Sequence, residues 1–428
     1  MDDRKIKTKA KHRTSLTSAI LFLLFSTQLS MAQTTSDTTQ AQFGGPNSVE
    51  GQLYEDRQSK ASFGVVPYQK GYFNWKDRVR EKHGLSFTLD YTSAILGATN
   101  TMNNQDIFAS GAVRFFGIWD LVGRKSGNKG SFVWKIEHRH KYANLGANKT
   151  ASEIGYAGLI LPTLSDIGLR LTNLYWKQNL IQGKLEIVAG FIDVTDWVDV
   201  YAFASPWNGF FNLALATGSA SMFLPDDATI GAYINAMITK NLYVIAGLSD
   251  ANSISTDPFK GFETFFNDSE YFTSLELGWI RSQDRFYFNN IHITLWHVDE
   301  RKNAGTKEAW GLNFSASHTF ELKWMPYLRA GFSSQGGGWF LQKSVSAGLG
   351  YQLKDELSLF GLGFNWSQPN EDTYGEKLEN QFSTEVFCRL QVIRNFELTP
   401  NIQWVINPPL NTIADQSWVL GLRSRLFF

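Results

Sequence analysis

The segment WVLGLRSRLFF, residues 418–428, lies at the end of the chain and carries the clearest indication of its fold class. One face of this strand is apolar and carries Trp418, Leu420, Leu422, Leu426 and Phe428. The opposite face carries Arg423 and Arg425. In an outer-membrane β-barrel, apolar residues that face lipid alternate with polar residues that face a wet interior. The pattern therefore predicts the last strand of such a barrel, with the terminal aromatic recognised by the barrel-assembly machinery, although a buried edge strand of a soluble sandwich can alternate similarly.

The other end of the chain has the features of an export signal. Six basic residues between positions 4 and 13 precede an apolar run over 16–29, and Ser-Met-Ala at 30–32 offers a small-x-small cleavage site. We predict a signal peptide over residues 1–32, which places the mature protein beyond the inner membrane. No later stretch approaches the 18 or so consecutive apolar residues of a spanning helix.

Composition narrows the class of protein. The chain of 428 residues has 33 Phe, 15 Tyr and 14 Trp, which suits alternating strands with aromatic girdles. The chain has 40 basic and 40 acidic residues, so it lacks the excess of positive charge that is typical of nucleic-acid-binding proteins. The predicted signal peptide contains more basic than acidic residues, which leaves the mature chain slightly acidic. Cys388 is the only cysteine, so neither an internal disulfide nor a thiolate metal cluster is possible.

Strand-like segments follow one another with a regular rhythm from residue 84 onward. Residues 33–83 are predicted to form a periplasmic leader or plug, with an amphipathic stretch at 75–82, and residues 84–428 the barrel. We predict sixteen strands, at 85–96, 108–119, 131–142, 168–178, 184–192, 229–239, 241–249, 271–281, 286–297, 309–320, 324–333, 343–351, 356–366, 381–392, 397–406 and 416–428. Short connections alternate with long ones, except that 120–130 is longer than expected. This alternation and the even count indicate a transmembrane antiparallel β-barrel with both termini in the periplasm.

Two other β architectures fit less well. A β-propeller would show a repeated blade motif at a fixed period, and an autotransporter would need a large passenger domain upstream. Sixteen strands leave an aqueous channel, whereas eight would be filled by side chains. The predicted function is therefore passive passage across the bacterial outer membrane.

Charged residues of both signs fall on the predicted lumen face. Lys135, Glu137 and Arg139 alternate along one strand, and further candidates for a pore constriction are Arg329, Arg389 and Arg423. A mixed set of donors and acceptors suits neutral sugars, whose hydroxyls need both, whereas a single sign of charge would favour ions. The alternative interpretation is that these residues only solvate a wide pore.

The longest connection, residues 193–228, is too apolar and aromatic for a solvated surface loop. We expect this third extracellular loop to fold into the lumen and narrow it. Asp199 and Trp207 are its candidates to approach the charged row on the third strand. The alternative is that its aromatic residues only pack the loop against its neighbours.

Three segments are similar to the OprB-type family of carbohydrate-selective porins. ENQFSTEVFCRLQVIRNFELTPNIQWVINPP (379–409) resembles the strands and Leu-Thr-Pro turn that precede the closing strand in that family. GLSFTLDYTSAILG (84–97) resembles its first strand, and LYWKQNLIQGKLEIVAGFIDVTDWVDVYAF (174–203) its approach to the third loop. Cys388 and Pro408-Pro409 depart from the usual residues. The resemblance implies a sixteen-stranded porin for mono- or oligosaccharides, homotrimeric, with arginine, glutamate and aromatic residues at its constriction.

Other functions find little support in the sequence. His138 and His140 form a pair without further ligands at a suitable spacing, and no nucleophile motif or phosphate-binding loop occurs. We expect no catalytic residues, no metal and no cofactor. A general porin without sugar preference and an outer-membrane hydrolase remain the alternatives; sugar block of the pore current would separate them.

Overall fold

A computed structural model describes residues 43–59, 69–353 and 358–428. The predicted signal peptide, and residues 33–42 of the predicted leader, lie outside the described residues. Sixteen strands form a closed barrel in which every strand pairs antiparallel with its sequence neighbours and β1 pairs with β16. The strands are β1 Leu85–Ala98, β2 Ile107–Val122, β3 Gly130–Lys141, β4 Gly168–Leu180, β5 Leu185–Ile192, β6 Thr229–Met237, β7 Leu242–Asp250, β8 Tyr271–Ile280, β9 Asn290–Val298, β10 Ala309–Ser317, β11 Trp324–Ser333, β12 Leu341–Gln352, β13 Leu359–Pro369, β14 Gln381–Ile393, β15 Phe396–Ile406 and β16 Gln416–Phe427.

The predicted barrel of sixteen strands is confirmed, and most strand ends differ by only a few residues. β9 begins at Asn290 rather than at 286, because residues 283–285 form a 3₁₀ turn and Phe286 is buried against Phe43 and Tyr243. The connection that looked too long is shorter in the structure. β2 continues through a bulge to Val122, which leaves only residues 123–129 between β2 and β3.

The two faces of the strands differ as the alternation predicts. On β8, Leu275 and Leu277 are exposed on the outer face, whereas Glu276 between them is 2% exposed on the inner face. On β16, Leu420 points outward and is exposed, whereas Arg423 is buried inside. Because a register slip of one residue would exchange the two faces, this pattern fixes the strand register.

Aromatic residues on the inner face pack over glycines of the neighbouring strand. Tyr233 faces Gly247, and a Cβ atom at Gly247 would lie 2.1 Å from the tyrosine ring. Tyr243 covers Gly278 on the next strand pair in the same way, at 2.2 Å. These glycines make room for large rings inside the barrel.

The connections differ in length between the two rims. In the described residues, one rim carries mostly short turns, at 123–129, 181–184, 238–241, 281–289, 318–323 and 394–395. The other rim carries loops at 99–106, 142–167, 193–228, 251–270, 299–308, 334–340, 370–380 and 407–415. We call these the turn rim and the loop rim. In outer-membrane barrels the short turns lie in the periplasm and the long loops lie outside the cell.

Five α-helices occur in the described residues: α1 Val49–Gln58, α2 Gln69–His83, α3 Thr150–Glu153, α4 Lys260–Glu263 and α5 Glu371–Tyr374. The Ser48 side chain caps α1 by accepting a hydrogen bond from the Gly51 amide at 3.0 Å. None of the helices in this part of the chain is long and apolar enough to cross a membrane.

The two N-terminal helices take different positions. α1 contacts inward-facing residues of the barrel: Gln52 accepts a hydrogen bond from Arg114 of β2, and Asp56 pairs with Arg425 of β16. α2, which includes the predicted amphipathic stretch, packs near the beginning of β1, where the rings of Trp75 and Phe87 meet edge to face. The described part of the predicted leader thus divides into a helix inside the barrel and a helix at its turn rim.

Candidate functional site

The third loop, residues 193–228, lies inside the barrel, where it is attached to inward-facing residues. Asp199, with a positive φ of 50°, is fully buried and pairs with Arg329 of β11. Its carboxylate also contacts His292 of β9 at 3.0 Å, and its backbone amide donates to Glu276 of β8 at 2.8 Å. One loop residue therefore contacts three strands of the same wall.

A second attachment holds the middle of this loop against the opposite wall. Glu385 of β14 accepts hydrogen bonds from the backbone amides of Phe211 at 2.6 Å and Asn212 at 2.9 Å. Arg423 of β16 donates to the carbonyl oxygen atoms of Pro206 at 2.8 Å and Gly209 at 3.2 Å. Charged residues that the alternation placed in the lumen thus bind the loop rather than line an open channel.

A cavity of about 500 Å³ remains between this loop and the strands β3 and β4. We call it the loop-side cavity, because residues of the second, third and sixth loops line it together with the barrel wall. Its polar and aromatic lining includes Asn47, Glu137, Arg139, Thr163, Ser165, Arg170, Asp193, Thr195, Trp207, Asp226, Asp227 and Trp339.

Carboxylates and guanidinium groups alternate along one side of the loop-side cavity. Arg139 bonds to Glu137 at 2.7 Å and approaches Asp227 at 3.4 Å. Arg170 of β4 bridges Asp227 at 2.5 Å and Asp226 at 2.8 Å. The Oε1 atom of Glu137 and the Nε atom of Arg170 are buried and have no hydrogen-bond partner in the described part of the chain. One acceptor and one donor thus remain unused in this group.

Trp207 is held between two arginines beside this group. The guanidinium of Arg114 lies 3.9 Å from its ring centroid and that of Arg139 lies 5.4 Å away. Only 4% of Trp207 is exposed, so it positions the arginines more than it offers a free ring face. Trp339 of the sixth loop, which is only partly buried, gives the cavity a second aromatic wall.

The floor of the cavity carries a pair of neighbouring carboxylates. Burial, together with the charge of Asp196, raises the pKa of Asp193 to about 6, although Lys135 opposes this shift. The Lys135 ammonium group is fully buried and lies 3.5 Å from the Asn47 carbonyl oxygen. Lys135 therefore lies below the cavity, next to the N-terminal segment.

The predicted site residues occupy four places. Glu137, Arg139 and Trp207 meet at the loop-side cavity, with Lys135 beneath them. Asp199 does not approach β3, because it pairs with Arg329 on the far side of the loop. Arg423 binds loop carbonyl groups, and Arg389 binds Glu55 of α1 at 3.0 Å.

Several residues that line the loop-side cavity were not predicted from the sequence. Arg170 falls on the inward face of a predicted strand, so the same alternation could have found it. Asp226 and Asp227 end the long loop just before β6, where a loop meets the wall. Asn47 and Trp339 carried no periodic signal, because both lie in connecting segments.

A second, smaller cavity of about 290 Å³ lies toward the turn rim. We call it the turn-side cavity. It is lined by Gly45, Pro46, Tyr54 and Glu55 of the N-terminal segment, by Phe203 of the third loop and by wall residues that include Tyr287, Met325 and Arg389. In the described residues, no group of three or more His, Cys, Asp or Glu side chains is arranged to hold a metal ion.

The family model of the carbohydrate-selective porins, OprB family, matches residues 78–308 and 342–428. No curated protein sequence matches the chain. Among solved structures, OprB of Pseudomonas putida at high pH is similar, with a TM-score of 0.66 and 14% identity over 86% of this chain and 99% of that one. A mutant of the Rh. blastica porin has a TM-score of 0.50 and 10% identity, over 80% of this chain and 100% of that one.

The structural matches support the barrel fold, and the family match covers most of the chain. Porin architecture and family together indicate a channel rather than an enzyme. The chain therefore belongs to the OprB family of carbohydrate-selective porins, and it is a sugar-selective porin of the outer membrane.

Proposed function

We propose that sugars cross this porin by passive diffusion through the loop-side cavity, which holds them weakly on the way. The single observation that carries the proposal is the row Glu137, Arg139, Asp227 and Arg170, in which charges of both signs border one cavity. A sugar presents hydroxyl groups that both donate and accept, so neutral polyols match this row better than ions of one sign do.

The unused atoms of the row define the recognition chemistry. The Oε1 atom of Glu137 can accept a hydrogen bond from a hydroxyl, and the Nε atom of Arg170 can donate one. Trp339 offers an apolar ring to the C–H face of a sugar. Binding is expected to be about millimolar, near −4 kcal/mol, because transport requires release as much as capture.

The proposal is tested by sugar block of single-channel current in planar bilayers. Arg139→Ala should weaken the block by glucose or maltose several-fold, while conductance in salt alone changes modestly. Lys141→Ala is the matched control, because Lys141 lies on the same strand and face but is exposed at the rim, paired with Asp166 at 3.0 Å. It should leave sugar block unchanged.

Two results would overturn this assignment. If sugars do not reduce the wild-type current at all, the pore lacks a sugar site and behaves as a general porin. If Arg139→Ala and Glu137→Ala both retain the full block, sugars bind elsewhere in the lumen, and Arg389 at the turn-side cavity becomes the first position to test.

We also propose the cellular context that the sequence predicted. The signal peptide is removed after residue 32, and the barrel-assembly machinery recognises Phe428, whose side chain is 43% exposed on the outer surface. Deletion of Phe428 should lower the yield of folded, heat-modifiable barrel, and normal yield would contradict that role. The proposed homotrimer should appear as a band of three copies after cross-linking in membranes, and mass spectrometry should find Gln33 as the first residue.

A further inference from the structure

The two cavities inside the barrel do not share a lining residue, and the N-terminal segment lies between them. Asn47 belongs to the lining of the loop-side cavity, whereas its neighbours Gly45 and Pro46 line the turn-side cavity. The third loop is divided in the same way, with Phe203 on the turn side and Ala204 on the loop side. Residues 43–59 and the third loop thus meet in a partition across the lumen.

Hydrogen bonds close this partition. The Asn47 side chain donates to Asp193 at 3.1 Å, to Thr195 at 2.8 Å and to Asp196 at 3.0 Å. It also accepts a hydrogen bond from Ser205 at 3.1 Å. Asn47 is 4% exposed and Ser205 is fully buried, so a sugar has no room between them.

Ion pairs hold α1 to the wall behind the partition. Glu50 pairs with Lys177 of β4, and Glu55 with Arg389 of β14. Asp56 binds Arg425 of β16 at 2.7 Å and 3.0 Å. These contacts reach across the barrel, so the helix stands in the path that connects the rims.

The contacts of α1 are of a kind that water can replace. Its sequence, VEGQLYEDRQ, contains only two aliphatic residues, Val49 and Leu53, and lacks the broad apolar face of a helix that is buried permanently. Withdrawal from the lumen would expose carboxylates, amides and guanidinium groups, which water solvates well, and only three buried apolar side chains, Phe43, Val49 and Leu53. The segment is therefore attached mainly by polar groups, and its release would expose few apolar side chains.

We propose that residues 43–59 form a plug that closes the pore between the two cavities and must undock before sugar can pass. Asn47 is the contact of the plug that faces the sugar cavity. This structure is then the closed state of the porin, and the third loop remains in place when the plug moves.

A reversible disulfide can test whether undocking is required. A Cβ atom at Gly45 would lie 3.3 Å from the Cβ atom of Val200 in the third loop, close to the 3.5–4.5 Å or so found in disulfides. The variant Gly45→Cys/Val200→Cys, in a Cys388→Ser background, should lose its bilayer current and its sugar uptake into liposomes when oxidised, and a reductant should restore both. Val200→Cys in the same background is the control and should not respond to oxidation.

A deletion tests the same proposal in the opposite direction. A chain without residues 43–59 should give a larger and permanently open conductance, with folding checked by heat-modifiable mobility. If that deletion fails to fold, Asn47→Ala in the full chain should raise the frequency of channel opening. Unchanged current in the oxidised disulfide variant, or wild-type conductance in the folded deletion or in Asn47→Ala, would overturn the plug. Sugar block of the open deletion variant would still report on the sugar site separately.

Discussion

Two groups of paired charges inside this barrel have the same chemistry and different surroundings. Asp199 of the third loop and Arg329 of β11 are both fully buried, and the pair also contacts His292 and the Tyr201 ring. The row from Glu137 to Arg170 borders a cavity of about 500 Å³. The first group holds the loop to the wall, and the second remains available to a passing molecule.

Strand alternation thus predicts which way a side chain points but not what covers it. Arg329 and Arg139 are equivalent by alternation, since both occupy inward positions of long strands. The third loop makes the difference, because it packs closely against the wall that carries Arg329 and leaves a cavity at the wall that carries Arg139. Substitutions that separate stability from sugar binding should therefore distinguish the two groups.

The largest effect is expected at the covered pair. Arg329→Ala leaves the Asp199 carboxylate buried without its partner, which costs roughly 3–5 kcal/mol. We expect the temperature at which the folded band disappears on semi-native gels to fall markedly and the conductance to become noisy as the loop loosens. Arg139→Ala, measured in parallel, should retain most of its thermal stability. Equal losses in both variants would remove the distinction between the two groups.

An intermediate effect is expected at the aromatic wall of the cavity. Trp339→Ala should weaken sugar block roughly threefold to tenfold, which corresponds to about 0.6–1.4 kcal/mol. Trp310→Ala provides the matched control, because Trp310 is exposed on the outer face of β10. A full sugar block in Trp339→Ala would show that polar contacts alone hold the sugar.

The smallest effect concerns pH at the floor of the cavity. Asp193, with a pKa raised to about 6, is ionised at pH 7.5 and mostly neutral at pH 5. Lowering the pH from 7.5 to 5 should therefore slightly reduce the preference of an open pore for cations, measured as the reversal potential in a KCl gradient. The reduction should be smaller in Asp193→Asn. Because the folded state keeps this proton up to a pKa of about 6, well above the ordinary aspartate value of 3.8, ionisation of Asp193 lowers the stability of the fold as pH rises through the interval between these two values. An identical pH response in Asp193→Asn would assign the titration to another group.

Much of the barrel could be predicted from the sequence, because each strand carries its own signal. Leu277 beside Glu276 and Leu422 beside Arg423 reveal their faces through local alternation, whatever the rest of the chain does. The partners of the inner charges could not be predicted in this way. Arg389 meets Glu55, and Arg425 meets Asp56, across more than 300 residues of sequence. The short helix that supplies those carboxylates has no apolar period to reveal its place.

The ion pair between Asp56 and Arg425 links the N-terminal helix to the seam at which the barrel closes. Arg425 belongs to the last strand to be synthesised, and it also binds Asp90 of β1 at 2.7 Å, across the final seam of the barrel. Asp90 in turn holds Arg114 of β2. Without β16, Asp90 would keep the guanidinium group of Arg114, whereas Asp56 would lose the guanidinium group of Arg425. Because Arg425 binds both Asp90 of β1 and Asp56 of α1, we expect closure of the barrel seam also to attach the N-terminal helix.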